Sequence, residues 1–309
     1  MSLPKRIGLL GGGLIGMSWG ALFLAHGREI VVVDPRAQAK AEMTAFLKTA
    51  WPHLRALGQT DRETPADFEV ASDIAALWDV EFVQENLPDR LDIKQNLLAR
   101  LEEIIGQDVP IASSTSSLKA SDIQARASHP ERILVAHPVN PPHLIPMVEL
   151  VAGQASAPEY LDRAEAFYRA MGRDVVRVKK EVTGHLMNRL TSALYREAVH
   201  MVAEGIADVE DIDKAIAYGP GLRWALMGPH MLYHLGGGAG GYRAYLDHLG
   251  PTQEARWQEL GESPLNEATK AQLVAGVEAA LGNETTEDLA KRRDAALVAL
   301  LGLKKTHGF

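Results

Sequence analysis

The sequence predicts an α/β fold, a doubly wound parallel sheet followed by an all-α C-terminal domain. Three observations predict it. In the first half, short β-rich runs alternate with helical patterns, the signature of a parallel sheet with helices on both faces. A glycine-rich turn joins the first strand run to the first helical pattern. After Gly184 the strand signals vanish.

The elements follow in order. "RIGLL" (6–10) is a buried-strand run, and 14–26 reads as a helix ending before Gly27. "EIVVVD" (29–34) carries three consecutive valines, and a long amphipathic helix follows over 37–57. "DFEVAS" (67–72), "EFVQEN" (81–86), "PIASST" (110–115) and "RILVAH" (132–137) are further strand candidates, with helical patterns such as "DIKQNLLARLEEII" between them. "HLMNRLTSALYREAVHMVAEG" has apolar residues at helical spacing and stops at Gly205, and "VEDIDKAIAYG" has a similar form. The tail over 265–304 reads as helix with a break at Gly282–Asn283, and the glycine cluster at 236–241 reads as a mobile loop. A boundary near residue 183, in "EVTGH", gives domains of 1–183 and 184–309.

Composition narrows the function. The chain has 309 residues, 46% hydrophobic and 23% charged, with a formal net charge of −8. It has no run of five basic residues. This argues against nucleic acid or an anionic membrane as the main partner. There is no cysteine, so disulfides, thiolate nucleophiles and cysteine metal sites are excluded. No signal-peptide pattern and no long apolar run stand out, and a cytoplasmic location is the expectation.

The turn carries the first chemistry. Gly11-x-Gly13-x-x-Gly16 follows a strand and opens a helix, and Asp34 ends the next strand. This is the dinucleotide fingerprint of a Rossmann-type domain in its required context. Gly11 allows the tight turn, Gly13 lets backbone approach the pyrophosphate, and Gly16 lets helix and strand pack. The helix start, at Leu14 and Ile15, offers free N–H groups to phosphate. Asp34 accepts the ribose hydroxyls of NAD and repels the 2′-phosphate of NADP, while Arg36 nearby softens that preference without reversing it.

Other polar positions cluster at strand ends. "SSTSSL" holds Ser116, "VAHPVNPP" holds His137 and Asn140, "MVELV" holds Glu149 and "GHLMNRL" holds Asn188. Singly, each has a bland explanation as a turn, a solvent-facing or a structural residue. Together, the spacing of Ser116, His137 and Glu149 and the "NRL" after Met187 match one family. The chain resembles the L-3-hydroxyacyl-CoA dehydrogenase superfamily over nearly its whole length. "AHPVNPPHLIPMVELV" and "GPGLRWALMGP" look like its free-acid branch, that of lambda-crystallin (L-gulonate 3-dehydrogenase) and L-carnitine dehydrogenase.

The resemblance implies NAD-dependent oxidation of the 3-hydroxyl of an L-3-hydroxy acid. A 3-hydroxyacyl-CoA dehydrogenase is the alternative, and a cofactor-binding scaffold without turnover is a more distant one. It implies His137 as base, Glu149 as its orienting carboxylate, and Ser116 and Asn188 as donors to the oxygen that becomes a carbonyl. A base titrating near neutral pH suits removal of an alcohol proton. Cofactor roles are implied for Asp89, Lys94, Ser116 and Asn140, with Asp89 standing where many relatives carry Glu. Metal is unnecessary. A homodimer formed through the helical domain is also implied. The acyl-CoA relatives have a shorter, uncharged run where this chain has Arg223, and guanidinium matches a carboxylate bidentately. Arg223 is therefore the expected anchor for a free-acid substrate. Trp224 and Tyr233 nearby would suit a trimethylammonium group, though such aromatics more often serve a core.

Overall fold

The computed structural model describes residues 3–309. The chain forms two compact units, Met1–Arg189 and Leu190–Phe309. The expected domain division lay at 183/184.

The first unit is built on an eight-stranded sheet. Its strands are β1 (Arg6–Leu10), β2 (Glu29–Val33), β3 (Glu69–Ala71), β4 (Phe82–Glu85), β5 (Ile111–Ser113), β6 (Ile133–Pro138), β7 (Met147–Ala152) and β8 (Asp174–Val178). The order is β3-β2-β1-β4-β5-β6-β7-β8. The chain reverses direction of progress between β1 and β4, the switch point where such sheets bind ligands. Helices α1 (Leu14–Ala25), α2 (Ala39–Ala56), α3 (Leu91–Glu102), α4 (Ala120–Gln124) and α5 (Pro158–Ala170) connect them.

Two apolar cores lie on the two faces. One joins Trp19, Phe23, Phe82, Phe167 and Tyr168 with α1, α2 and α5. The other joins Val83, Leu98, Leu101, Ile111 and Ile123 with α3 and α4. Strands buried on both faces read as continuous apolar runs, as "IVVV" and "ILVA" do.

The sheet departs from the expected all-parallel form in one place. β7 runs antiparallel to β6, while β8 is parallel to β7. β8 is a strand that the sequence reading lacks. Its pattern is mostly exposed or half-buried, so it shows no buried-strand run. The reversal matters, because its register sets His137 directly opposite Glu149.

The second unit is helical: α6 (Met187–Ala203, which starts just before the division), α7 (Val209–Ala217), α8 (Pro220–Trp224), α9 (Pro229–Gly236), α10 (Gly241–Glu259), α11 (Glu267–Leu281) and α12 (Thr286–His307). The expected break at Gly282–Asn283 separates α11 from α12. At the glycine cluster expected to be a mobile loop, α9 ends, a 3-10 turn covers Gly238–Gly240 and α10 starts. α7 packs on α8 and α11, and α9 packs on α10 with Tyr233 and Tyr245 stacked 4.4 Å apart.

Candidate active site

The site assembles at the carboxyl ends of the strands. The turn after β1 has Gly11 at φ +92. A Cβ on Gly16 would lie 2.0 Å from the Gly11 carbonyl oxygen, whereas one on Gly13 would meet nothing within 4 Å. Gly16 is thus required for packing, and Gly13 leaves open space at the N-cap of α1. That space, beside unpaired helix N–H groups, fits a pyrophosphate.

Asp34 follows β2 and is 7% exposed. Its carboxylate accepts from Gly12 N at 2.9 Å, and from Arg36 N, Nε and Nη2 at 2.9, 3.0 and 2.9 Å. Burial pushes its carboxyl up, but the Arg36 and Gly12 hydrogen bonds outweigh this and hold it below the usual range. Arg36 therefore grips the residue expected to read the ribose. Its other arm reaches Glu42 at 2.8 Å.

A cavity of about 400 Å³ is lined by Ile15, Asn86, Asp89, Ser116, His137, Asn140 and Asn188, among others. It brings Ile15, in the first turn of α1, together with most of the expected catalytic set. Glu149 lies behind His137, with His137 Nδ1 2.7 Å from Glu149 Oε2, and both are almost fully buried. The other carboxylate oxygen accepts from Leu186 N at 2.8 Å and Met187 N at 2.9 Å. Burial raises the Glu149 carboxyl, but the His137 contact and these two amides outweigh it, and the net shift is downward. Glu149 is thus a carboxylate that only accepts. His137 Nδ1 must carry the proton, which leaves Nε2 as the basic nitrogen.

Ser116 donates from both N and Oγ to Asp89 Oδ2 at 3.0 Å. Asn188 Nδ2 donates to the Ser116 carbonyl at 2.9 Å. Burial raises the Asp89 carboxyl, but Thr115, Ser116 and Lys94 outweigh it and lower it. Lys94 is fully buried and does not line the cavity. Its Nζ sits 2.7 Å from Glu85, 2.9 Å from the Leu87 carbonyl and 3.5 Å from Asp89. It fixes the loop after β4 from beneath. Ser113 also donates to Glu85.

Arg223 lies in the second unit, on α8, exposed, with no hydrogen bond or ion pair to its guanidinium among the described residues. Trp224 and Tyr233 are 41% and 39% exposed. The sequence reading missed Glu85, Thr115 and His185. Glu85 and Thr115 sit in runs read only as strand, and His185 falls inside a motif noted for Asn188.

The fold and the glycine cradle define a class, the NAD-binding dehydrogenases. The particular family is given by comparison. Residues 6–182 match the 3-hydroxyacyl-CoA dehydrogenase NAD binding domain, and 184–274 match the 3-hydroxyacyl-CoA dehydrogenase C-terminal domain. The chain belongs to the 3-hydroxyacyl-CoA dehydrogenase family. It is similar to proteins named L-carnitine dehydrogenase: 42% identical to that of Streptomyces coelicolor over 96% of this chain and 94% of the relative, and 41% identical to that of Pseudomonas aeruginosa over 99% and 97%. Among solved structures it is similar to 5-formyl-3-hydroxy-2-methylpyridine 4-carboxylic acid 5-dehydrogenase, an NAD+ dependent dismutase. That match has a TM-score of 0.84 and 29% identity, over 97% of this chain and 98% of the other. The chain is accordingly an NAD-dependent oxidoreductase of CH–OH groups. Among the described residues no helix is long and apolar enough to cross a membrane.

Proposed function

We propose that the chain oxidises the 3-hydroxyl of a free L-3-hydroxy acid, with His137 as base. The observation that carries this is the buried His137–Glu149 pair, with its second oxygen pinned by Leu186 and Met187. The glycine turn and Asp34 would hold NAD, which would supply the acceptor for the hydride leaving C3. His137 Nε2 receives the hydroxyl proton as the carbonyl forms. Glu149 holds the ring in the Nδ1–H tautomer and stabilises the cation, the orienting role that an acid plays beside histidine in hydrolases. Ser116 and Asn188 supply donors near the reacting oxygen, with the Ser116 hydroxyl turning from Asp89 to do so. Asp34 would hold the adenine ribose, Gly13, Leu14 and Ile15 would hold the pyrophosphate, and Asn140 and Asp89 line the cavity.

The free acid is favoured over a CoA thioester by the relatives. Proteins named for L-carnitine and for a pyridine 4-carboxylic acid both take their names from free carboxylates. Arg223, exposed and unpaired, supplies a guanidinium suited to such a group. L-carnitine is the first candidate, beside gulonate and 3-hydroxybutyrate. The enzyme is read as cytoplasmic and as a homodimer through its helical unit. Exposed apolar residues on α11 and α12, such as Val274, Val277, Leu289 and Leu303, support the dimer.

The test is NADH formation across L-carnitine, L-gulonate, L-3-hydroxybutyrate and 3-hydroxybutyryl-CoA. The expected result is the highest kcat/KM on a free acid. A higher value on the thioester overturns the proposal.

A further inference from the structure

Four consecutive residues, 185–188, touch every other member of the catalytic group. Leu186 and Met187 hold Glu149, and Asn188 holds the Ser116 carbonyl. His185 begins the run and is fully buried. Its Nε2 lies 3.1 Å from the Thr115 carbonyl, and its ring centroid lies 5.1 Å from that of His137. A carbonyl can only accept, so His185 carries its proton on Nε2. Its buried Nδ1 has no partner among the described residues.

The backbone here is unusual. Gly184 and His185 are both left-handed, with φ +77 and +53, and His185 is the only such non-glycine residue among those described. The His185 amide donates to the Val182 carbonyl, closing the turn. A tight left-handed turn is what swings the next two amides onto a single carboxylate oxygen. Histidine is among the side chains that enter this region more readily than most.

We propose that His185 is a positioning residue for the alcohol oxidation: it fixes Glu149 and the Ser116 loop around His137. The inference rests on His137 being the base. The ring packs beside that of His137, the Nε2–H anchors the loop after β5 at the Thr115 carbonyl, and the left-handed backbone aims Leu186 and Met187. The groups that face it are His137 from β6, Glu149 from β7 and Asp89 after β4. Burial lowers its basicity, which outweighs the raising effect of the Thr115 carbonyl. A neutral ring beside His137 leaves the base free to take up its proton.

The test compares His185→Ala with His185→Gln, whose side-chain amide nitrogen reaches the place of the ring Nε2 and can donate to the Thr115 carbonyl. His185→Ala is expected to lower kcat roughly tenfold to hundredfold while the NAD dissociation constant, read by NADH fluorescence titration, stays within about twofold. His185→Gln is expected to recover most of that loss. In ¹⁵N-histidine NMR, the His137 Nδ1 proton shared with Glu149 should shift or broaden in His185→Ala and return in His185→Gln. If His185→Ala does not fold, His185→Phe takes its place, keeping the ring and losing the donor, with the same expected kcat loss. A kcat within twofold of the parent, NAD binding lost in step with kcat, or no recovery in His185→Gln overturns the proposal. The NMR signal reports the Glu149 frame whatever group is the base. An active His137→Ala would therefore refute the base reading alone.

Discussion

The two units bury their residues in different ways. The first places an apolar core on each face of its sheet, and beneath its strand ends it buries Asp34, Glu85, Lys94, His137, Glu149 and His185. Of the large apolar side chains in the second, only Val199, Ile212 and Tyr245 are buried, and α12 buries none. A unit with a complete core can hold charged groups in fixed positions, because desolvation makes their pairing costly to break. A unit of lightly packed helices with exposed apolar faces suits assembly and substrate capture. The difference predicts that changes in the first unit cost chemistry or cofactor binding, and changes in the second cost substrate KM or association.

The largest expected effect is on chemistry. His137→Ala should lower turnover by about 10²–10⁴-fold, the usual contribution of a placed base. NAD affinity should hold, since the ring makes none of the contacts around Asp34 or Gly13. Stopped-flow absorbance measures the first quantity and fluorescence titration the second. Near-normal turnover would remove the histidine from the mechanism.

A change in the second unit should divide differently. Arg223→Met is expected to raise KM for the best free acid by roughly tenfold to a hundredfold, if a charged bidentate contact of ~1.5–3 kcal/mol is lost. The kcat should move little. An unchanged KM sinks Arg223 as the carboxylate anchor.

The cofactor turn offers a smaller test in the first unit. Gly16→Ala forces a Cβ to within 2.0 Å of the Gly11 oxygen. Overpacking of this kind costs roughly 1–3 kcal/mol, so NAD should bind about tenfold weaker or worse. Unaltered affinity would mean that the turn has slack which the geometry denies.

How much of this could be read from the sequence depends on what leaves a trace in composition. The cofactor turn needs backbone without side chains, and glycine spacing declares it openly. The strand runs show because both faces are covered. The His137–Glu149 pair is different. Physically it is a consequence of β7 returning antiparallel, so that residues twelve apart stand opposite. No local pattern reveals that reversal, and the pair was recognisable only through family resemblance. β8 stayed hidden because an edge strand with little burial has no apolar run. His185 is legible only in three dimensions: its role lies in a positive φ and in contacts to Thr115 and His137 from distant strands.

The smallest and most specific contrast is in acid. In the first unit His26 and His185 are lowered by burial, and the carboxyls of Asp34, Asp89, Asp92, Glu149 and Glu165 are held below their ordinary values by hydrogen bonds and nearby charges. In the second unit Lys214, Tyr245 and Lys291 are raised. The sign follows from proton linkage. A histidine lowered by burial binds fewer protons folded than unfolded once the pH falls below its ordinary value of 6.5, so stability declines there. A lowered carboxylate does the same below its ordinary value of 3.8 or 4.5. Both act in one direction, and both act on the first unit. The raised lysines matter only in alkali, where their contribution is lost. Between pH 7 and pH 4, hydrogen-exchange protection in β1, β4 and β6 should therefore fall, while protection in α10 and α11 holds. The measurement is amide exchange with mass spectrometry on the intact chain, corrected for the intrinsic pH dependence of exchange. Equal loss in both units would show that the first unit's buried charges do not set its acid stability, and the contrast between the two would fail at that point.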